Sequence, residues 1–216
     1  MPELKAGCRW VDLRQKLPPN WHLFHQPFLV SPVLMTEADD QILVRQCQNG
    51  DRRAFETLVD KYQKPLFNLA LRMTRNYTDA QDIAQIAFLK AYENLASFDH
   101  KYKFFSWLYR IALNESLNHV NQRRHADQLN EDMASEGQSP DVLYDKDETS
   151  RRVQDALMEL KEEYRSVIVL KHLQGFSYEQ ISEILEIPEK KVKSRLFTAR
   201  LMLKDVLNAK GVDYSD

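Results

Sequence analysis

The sequence predicts an all-α protein of two helical domains joined by a flexible acidic linker, and three observations carry that prediction. Glycine is scarce, five in 216 residues, and no segment shows the alternation and frequent turn residues that strands need. Apolar residues recur at helical spacing from Thr36 onward. That periodicity stops between Asp127 and Glu148, where Asp127, Glu131, Asp132 and further acids surround Gly137, Ser139 and Pro140, a composition that buries too little apolar surface to fold. The expected divisions are an arm at 1–34, a first domain at 35–124, the linker at 125–149, a second domain at 150–208 and a frayed tail at 209–216.

The arm is assigned no fold. Pro18, Pro19, Pro27 and Pro32 break any helix, and Trp10, Trp21, Phe24 and Phe28 follow no period. Two readings stand open: a disordered arm, or a chain whose true start is Met35. Cys8, His22 and His25 are too loosely spaced for a metal set, so no metal and no cofactor is expected. Two cysteines, Cys8 and Cys47, make no disulfide framework, which points to a reducing, cytoplasmic setting. Cys47 follows Ile42, Leu43 and Val44 and reads as a small core hydrophobe rather than a redox switch. No run approaches the roughly 18 apolar residues of a spanning helix, and no apolar signal core is present, so membrane insertion is not expected.

In chain order, Thr36 and Asp39 start a helix that Gly50 ends. Asp51 opens the next, with Phe55, Leu58, Val59 and Tyr62 on one face, and Pro65 is expected to perturb a junction before Leu66–Met73. Thr78 and Asp79 are expected to cap a helix running to Leu95. On it, Asp82 and Gln85 stand three apart, a polar pair that either meets a partner or is simply solvated.

The segment Asp99–Asn114 places five aromatics between Tyr102 and Tyr109, beside Lys101, Lys103 and Arg110. Trp107, Leu108 and Ile111 fit a buried face. The aromatic surplus among cations is what holds unstacked bases, because rings stack on base faces while lysines and arginines follow phosphates. The helix continues past Asn114 and Asn118, whose amides can read base edges, to Arg123 and Arg124, whose guanidinium groups can hold backbone.

In the second domain Val153, Leu157 and Leu160 line one helix, and Tyr164, Val167, Ile168 and Leu173 the next, stopped by Gly175. From Ser177 to Arg200 the pattern is helix, short turn, helix. Ser177 and Gln180 have the spacing of a capping box, Ile181, Ile184 and Leu185 line one face, and Ile187-Pro188 breaks the helix and starts another. Val192, Leu196, Ala199 and Leu203 form its inward stripe, leaving Lys190, Lys191, Lys193, Ser194, Phe197 and Arg200 outside. A basic helix docked through a tight turn has the shape that enters a major groove; a helical hairpin with a solvated lysine face is the plain alternative. The net charge of −2 does not exclude nucleic acid, because it conceals this segregation.

Four pieces in this order resemble the extracytoplasmic-function sigma factors, the small two-domain group of sigma-70-type factors: Gly50-Asp51 with Ala54-Phe55; Asp79-Ala80-Gln81-Asp82-Ile83 with Gln85, Phe88 and Lys90-Ala91; Trp107 to Ala112 with Asn114; and Ser177 to Ile181 with Val192 to Leu196 and Ala199-Arg200. The resemblance spans about Thr36 to Asn208. It implies a sigma region 2 bundle and a sigma region 4 helix-turn-helix, and an alternative sigma factor that performs no bond chemistry. Such a factor binds core RNA polymerase through the beta-prime coiled coil and the beta flap, recognises promoter DNA, melts the start region and is held by an anti-sigma factor.

By that resemblance Asp82, Gln85, Phe88 and Leu89 dock on polymerase. Lys101, Tyr102, Phe104, Phe105, Trp107, Asn114, Asn118, Arg123 and Arg124 take the −10 element. Lys193, Ser194 and Phe197 read the −35 groove, with Lys190, Lys191 and Arg200 on phosphates, and the acidic linker threads toward the RNA path. Ile86 departs from the family pattern where an acid usually follows the glutamine, His100–Lys103 replaces a stretch that often holds glycine and serine, Glu186 stands where glycine is frequent, and Thr198 where a basic residue is common.

Two rival readings need fewer of these pieces. A duplex-binding regulator uses only residues 150–208 and leaves the aromatic-basic segment without a task. An enzyme built on His100, His119, His125 or His172 lacks a partnered nucleophile, a metal triad or a phosphate loop.

Overall fold

The computed structural model describes residues 37–129 and 148–210. The readings made for residues 1–34, for most of the acidic linker and for the end of the tail lie outside them.

The first domain contains α1 (Glu37–Gln48), α2 (Arg52–Thr74), α3 (Tyr77–Asn94), a 3-10 turn at Leu95–Ser97 and α4 (Phe104–Leu129). The second contains α5 (Glu148–Glu159), α6 (Glu162–Ile168) with a π turn at Val169–Leu173, α7 (Tyr178–Leu185) and α8 (Glu189–Ala209). No strand occurs among the described residues. The tandem helical arrangement agrees with the all-α expectation.

Local chemistry sets most helix ends. Gly50 closes α1 at φ +95°, a conformation that costs a side-chain-bearing residue about 1 kcal/mol; its N–H donates to the Cys47 carbonyl at 2.9 Å. Asp51 caps α2, its Oδ1 accepting from the Arg53 N–H at 2.9 Å. Two expectations are corrected. Pro65 lies inside α2 without ending it; apolar burial of Leu58, Val59, Leu66, Phe67 and Leu69 on both sides of the proline holds one continuous helix. The cap of α3 is Asn76, whose Oδ1 accepts from Asp79 N–H at 3.0 Å, rather than Thr78 or Asp79. Helix α4 reaches Leu129, so residues 125–129, read from composition as linker, are helical.

The helices α2, α3 and α4 pack on one another and are capped on one side by α1. Asp40 fixes α1 there. It is 2% exposed, and its carboxylate accepts from Tyr62 Oη at 2.5 Å and pairs with Lys61 at 2.6 Å. Ala80, Ala84, Ala87 and Ala91 give α3 a small-residue face that lets its neighbours approach closely. In the second domain Ile181, Ile184, Val192, Leu196 and Ala199 are buried between α7, α8 and α6.

Candidate nucleic-acid interface

Helix α8 is amphipathic in the register the sequence predicts. Val192, Leu196 and Ala199 face inward at 1% exposure or less, while Phe197 is 66% exposed. Lys190, Lys191, Lys193, Ser194 and Arg200 are exposed on the same outer surface. The helix before it starts with the expected capping box: Ser177 Oγ accepts from Gln180 N–H at 3.1 Å, and Gln180 Oε1 accepts from Ser177 N–H at 2.9 Å. Glu186 ends α7 at φ +53°, the left-handed conformation that explains a preference for glycine at this turn.

Two outer side chains are pre-positioned. Lys193 pairs with Glu189 at 2.8 Å and lies 5.4 Å from the Tyr178 ring centroid. Arg200 Nε donates to His172 Nε2 at 3.2 Å. Burial, then the charges of Arg200 and Lys171, hold the His172 imidazole below its ordinary range, so it stays a neutral acceptor that aims the guanidinium.

The aromatic-basic segment divides by burial. Tyr102 is 62% exposed and Phe104 only 1%. Phe104 packs edge-on to Tyr62 and Phe98, which removes it from the residues able to touch a base. Phe105 is buried beneath the second domain, stacked on Phe176 at 5.7 Å between centroids and 14° between planes. Trp107 is partly buried, while Lys101, Asn114 and Asn118 are exposed. Arg123 pairs with Asp79 at 3.3 Å and Arg124 with Glu162.

On α3, Asp82 is exposed, and Gln85 and Leu89 are partly buried. Phe88 is 1% exposed and belongs to the buried hydrophobic cluster, so in this structure it stands as a core residue rather than a docking contact.

The two domains are packed together, a relationship that sequence periodicity does not express. Lys103 pairs with Glu183 at 2.9 Å, and Ser106 Oγ donates to the other Glu183 carboxylate oxygen at 2.8 Å. Arg110 donates to the carbonyls of Ile184 at 3.2 Å and Glu183 at 2.6 Å and pairs with Glu186. Tyr109 meets Phe176 edge-on at 4.8 Å, and burial raises its phenol far above the usual range. Between α4 and α7 lies a cleft of about 730 Å³, lined by Lys101, Tyr102, Trp107, Arg110, Glu183 and Glu186 among others.

A second seam joins the end of α2 to α5 and α6. Arg165 is fully buried and donates to the carbonyls of Met73 (2.8 Å), Leu157 (2.9 Å), Met158 (2.9 Å) and Leu160 (3.0 Å). Burial lowers its pKa, opposed by the charge of Glu162. Beside it, Gln154 exchanges hydrogen bonds with the Arg72 side chain at 2.9 Å and the Arg72 carbonyl at 3.2 Å.

Known proteins resemble this chain in both of its domains. The family model described as Sigma-70 region 2 matches residues 58–126, and that described as Sigma-70, region 4 matches residues 150–203. The RNA polymerase sigma-H factor of Pseudomonas aeruginosa is 35% identical over 77% of this chain and 93% of its own. The ECF RNA polymerase sigma-E factor of Haemophilus influenzae is 36% identical over 77% and 94%. Among solved structures, CnrH in complex with the cytosolic domain of CnrY superimposes with a TM-score of 0.64 at 30% identity, covering 79% of this chain and 98% of that one.

Proposed function

From the premise that this chain belongs to the extracytoplasmic-function group of sigma-70-type RNA polymerase sigma factors, we propose how its two domains divide the work. The protein is an alternative sigma factor: it binds core RNA polymerase and directs promoter recognition, melting and transcription initiation. Its partners are core polymerase, promoter DNA and an anti-sigma factor. It performs no bond chemistry of its own, and its place of action is the cytoplasm, where its polymerase partner works. Among the described residues no helix is long and apolar enough to cross a membrane.

Helix α8 reads the −35 duplex through Lys193, Ser194 and Phe197, while Lys190, Lys191 and Arg200 hold phosphates. The supporting observation is that all six lie on one exposed face of a helix whose opposite residues Val192, Leu196 and Ala199 are buried. Lys101, Tyr102 and Trp107 around the cleft, with Asn114 and Asn118 further along α4, take the −10 strand, and Phe105 joins them when the second domain leaves it. Asp82, Gln85 and Leu89 meet the beta-prime coiled coil, and the second domain meets the beta flap. The domain limits are 35–124 and 150–208, with α4 extending past the first.

This division requires the domains to part. Elements centred 35 and 10 base pairs upstream lie about 85 Å apart at ~3.4 Å per base pair, whereas α4 and α7 are in hydrogen-bond contact. The packed form therefore engages one element at a time. Mixing the purified chain with core polymerase and mapping transcript starts on a genomic fragment library tests the reading. Discrete starts sharing two spaced elements support it; a chain that binds duplex operator DNA while core polymerase stays inactive contradicts it.

A further inference from the structure

Where the second domain covers it, α4 carries two parallel rows of side chains. Ser106 and Arg110 stand four residues apart on one face, with Lys103 just before the helix, and Phe105 and Tyr109 stand four apart on the adjoining face. Each group of the first row donates to oxygens of α7 or of Glu186, which ends it. Lys103 Nζ faces Glu183 Oε1 at 2.9 Å, and Ser106 Oγ donates to Glu183 Oε2 at 2.8 Å. Arg110 donates from Nε to the Ile184 carbonyl at 3.2 Å, from Nη2 to the Glu183 carbonyl at 2.6 Å, and from Nη1 to the Glu186 carboxylate. The second row holds a ring: Phe176 lies near-parallel to Phe105 at 14° and edge-on to Tyr109 at 4.8 Å.

What the second domain presents to these rows has the chemistry of a nucleic-acid strand. Oxygens within hydrogen-bond distance of a guanidinium, an ammonium and a hydroxyl are the acceptors that phosphates also supply. A ring laid on aromatic side chains beside them takes the place of a stacked base. The polarity of the seam is one-sided as well. Arg124 faces Glu162, and Arg75 faces Asp155 at 2.6 Å, with the cation again on the first domain and the acid on the second. Closure alone needs opposite charges but not this consistent assignment of sign; a first-domain surface that meets an anion once the second domain has left does need it.

We propose that the second domain mimics a length of the −10 strand, with Phe176 in place of a base and Glu183 and Glu186 in place of phosphates. Lys103, Ser106, Tyr109 and Arg110 are thereby DNA contacts. The inference rests on the −10 assignment of this segment and extends it: the cleft beside Tyr102 and Trp107 is also lined by Lys103, Ser106 and Arg110, so the donor row continues the exposed part of that surface. When the domains part, the donors exchange carboxylates for phosphates and the rings exchange Phe176 for a base.

The test uses the full chain with Glu183→Gln and Glu186→Gln, which loosens the seam, and a mixed-sequence single strand of about 16 nucleotides bearing one 2-aminopurine. In that background Arg110→Gln and Lys103→Gln should each weaken binding roughly two- to fivefold. Each should also flatten the dependence of log affinity on log salt by about 0.7, whereas Arg110→Lys keeps the slope. Tyr109→Leu, which stays apolar, should weaken binding roughly fivefold or more and abolish the dimming of 2-aminopurine that stacking produces. Phe105→Leu supplies the same readout should Tyr109→Leu lose helicity. A row that only latches the domains predicts the contrary, an unchanged salt slope with equal or tighter binding, and that result overturns the proposal. So does a loosened chain that binds a peptide copying residues 175–188 but no single strand, since the surface then takes an acidic peptide. Promoter opening by the holoenzyme, read by permanganate on a fragment from which it initiates, should fall in Arg110→Gln while co-elution with core polymerase is retained. Strand binding that depends on both rows while opening ignores them overturns the promoter role and places the fault in the −10 assignment.

Discussion

Arg110 of α4 caps the C-terminus of α7 in the other domain, donating to the carbonyls of Glu183 at 2.6 Å and Ile184 at 3.2 Å. The last four carbonyls of a helix have no partner within it, and a cation there also meets the negative end of its dipole. Glu186 and Glu183 add carboxylates facing Arg110 and Lys103. The first helix of the helix-turn-helix thus rests on the segment assigned to the −10 strand, and acids stand where phosphates would.

Weakening that contact should expose the −10 segment. In the double variant Glu183→Gln, Glu186→Gln, two partly exposed ion pairs, each worth about 0–1 kcal/mol, are lost. The expected result is up to about tenfold tighter binding of single-stranded DNA by the free chain, with −35 duplex binding unchanged. Fluorescence anisotropy on both probes makes the measurement, and equal affinity of variant and wild type for the single strand would refute the occlusion.

Lys193→Ala and Phe197→Ala should each weaken −35 duplex binding by about 1–3 kcal/mol while co-elution with core polymerase is retained. Loss of polymerase binding in both variants, with helicity intact, would count against the division of labour.

Asp82→Ala and Phe88→Ala separate docking from packing. The first should reduce association with core polymerase and leave the melting temperature unchanged, because Asp82 is exposed. The second removes a ring that is 1% exposed and should cost about 3–5 kcal/mol of stability. Thermal unfolding beside a polymerase pull-down distinguishes them, and a normal melting temperature for Phe88→Ala would show that its burial has been misjudged.

Burial, with Asp51 nearby, pushes the Cys47 thiol up to about 11. In a Cys8→Ser background at near-neutral pH, Cys47 should react with iodoacetamide roughly 10- to 100-fold more slowly than an exposed cysteine, because the thiolate is the nucleophile. Reaction at the exposed rate would revive a redox role.

Most of the fold was legible because each helix carries its own punctuation. Asp51, Gly50, the Ser177-Gln180 box and Pro188 act within a few residues of where they stand, and the α8 stripe repeats at helical spacing. Asn76 was missed in favour of Thr78 and Asp79 because several good caps stood together and only backbone conformation selects among them. Pro65 misled because neighbouring burial outweighs one absent donor. The site was legible only as far as exposure follows period. Aromatics in series look alike, and the inward placement of Phe104 and Phe88 is decided by helices distant in sequence. Arg165, Arg110 and Gln154 act across the domain seam, where no local pattern signals a partner.

The most direct test places a donor and an acceptor dye at Glu93→Cys on α3 and Asn208→Cys on α8, two exposed positions outside the proposed contacts, in a background with Cys8 and Cys47 replaced. Energy transfer is then compared between the free chain and the promoter-bound holoenzyme. The account predicts efficient transfer in the free chain and its near loss in the complex, as the two sites move toward a separation of about 85 Å. Transfer that stays high in a transcribing complex would contradict it.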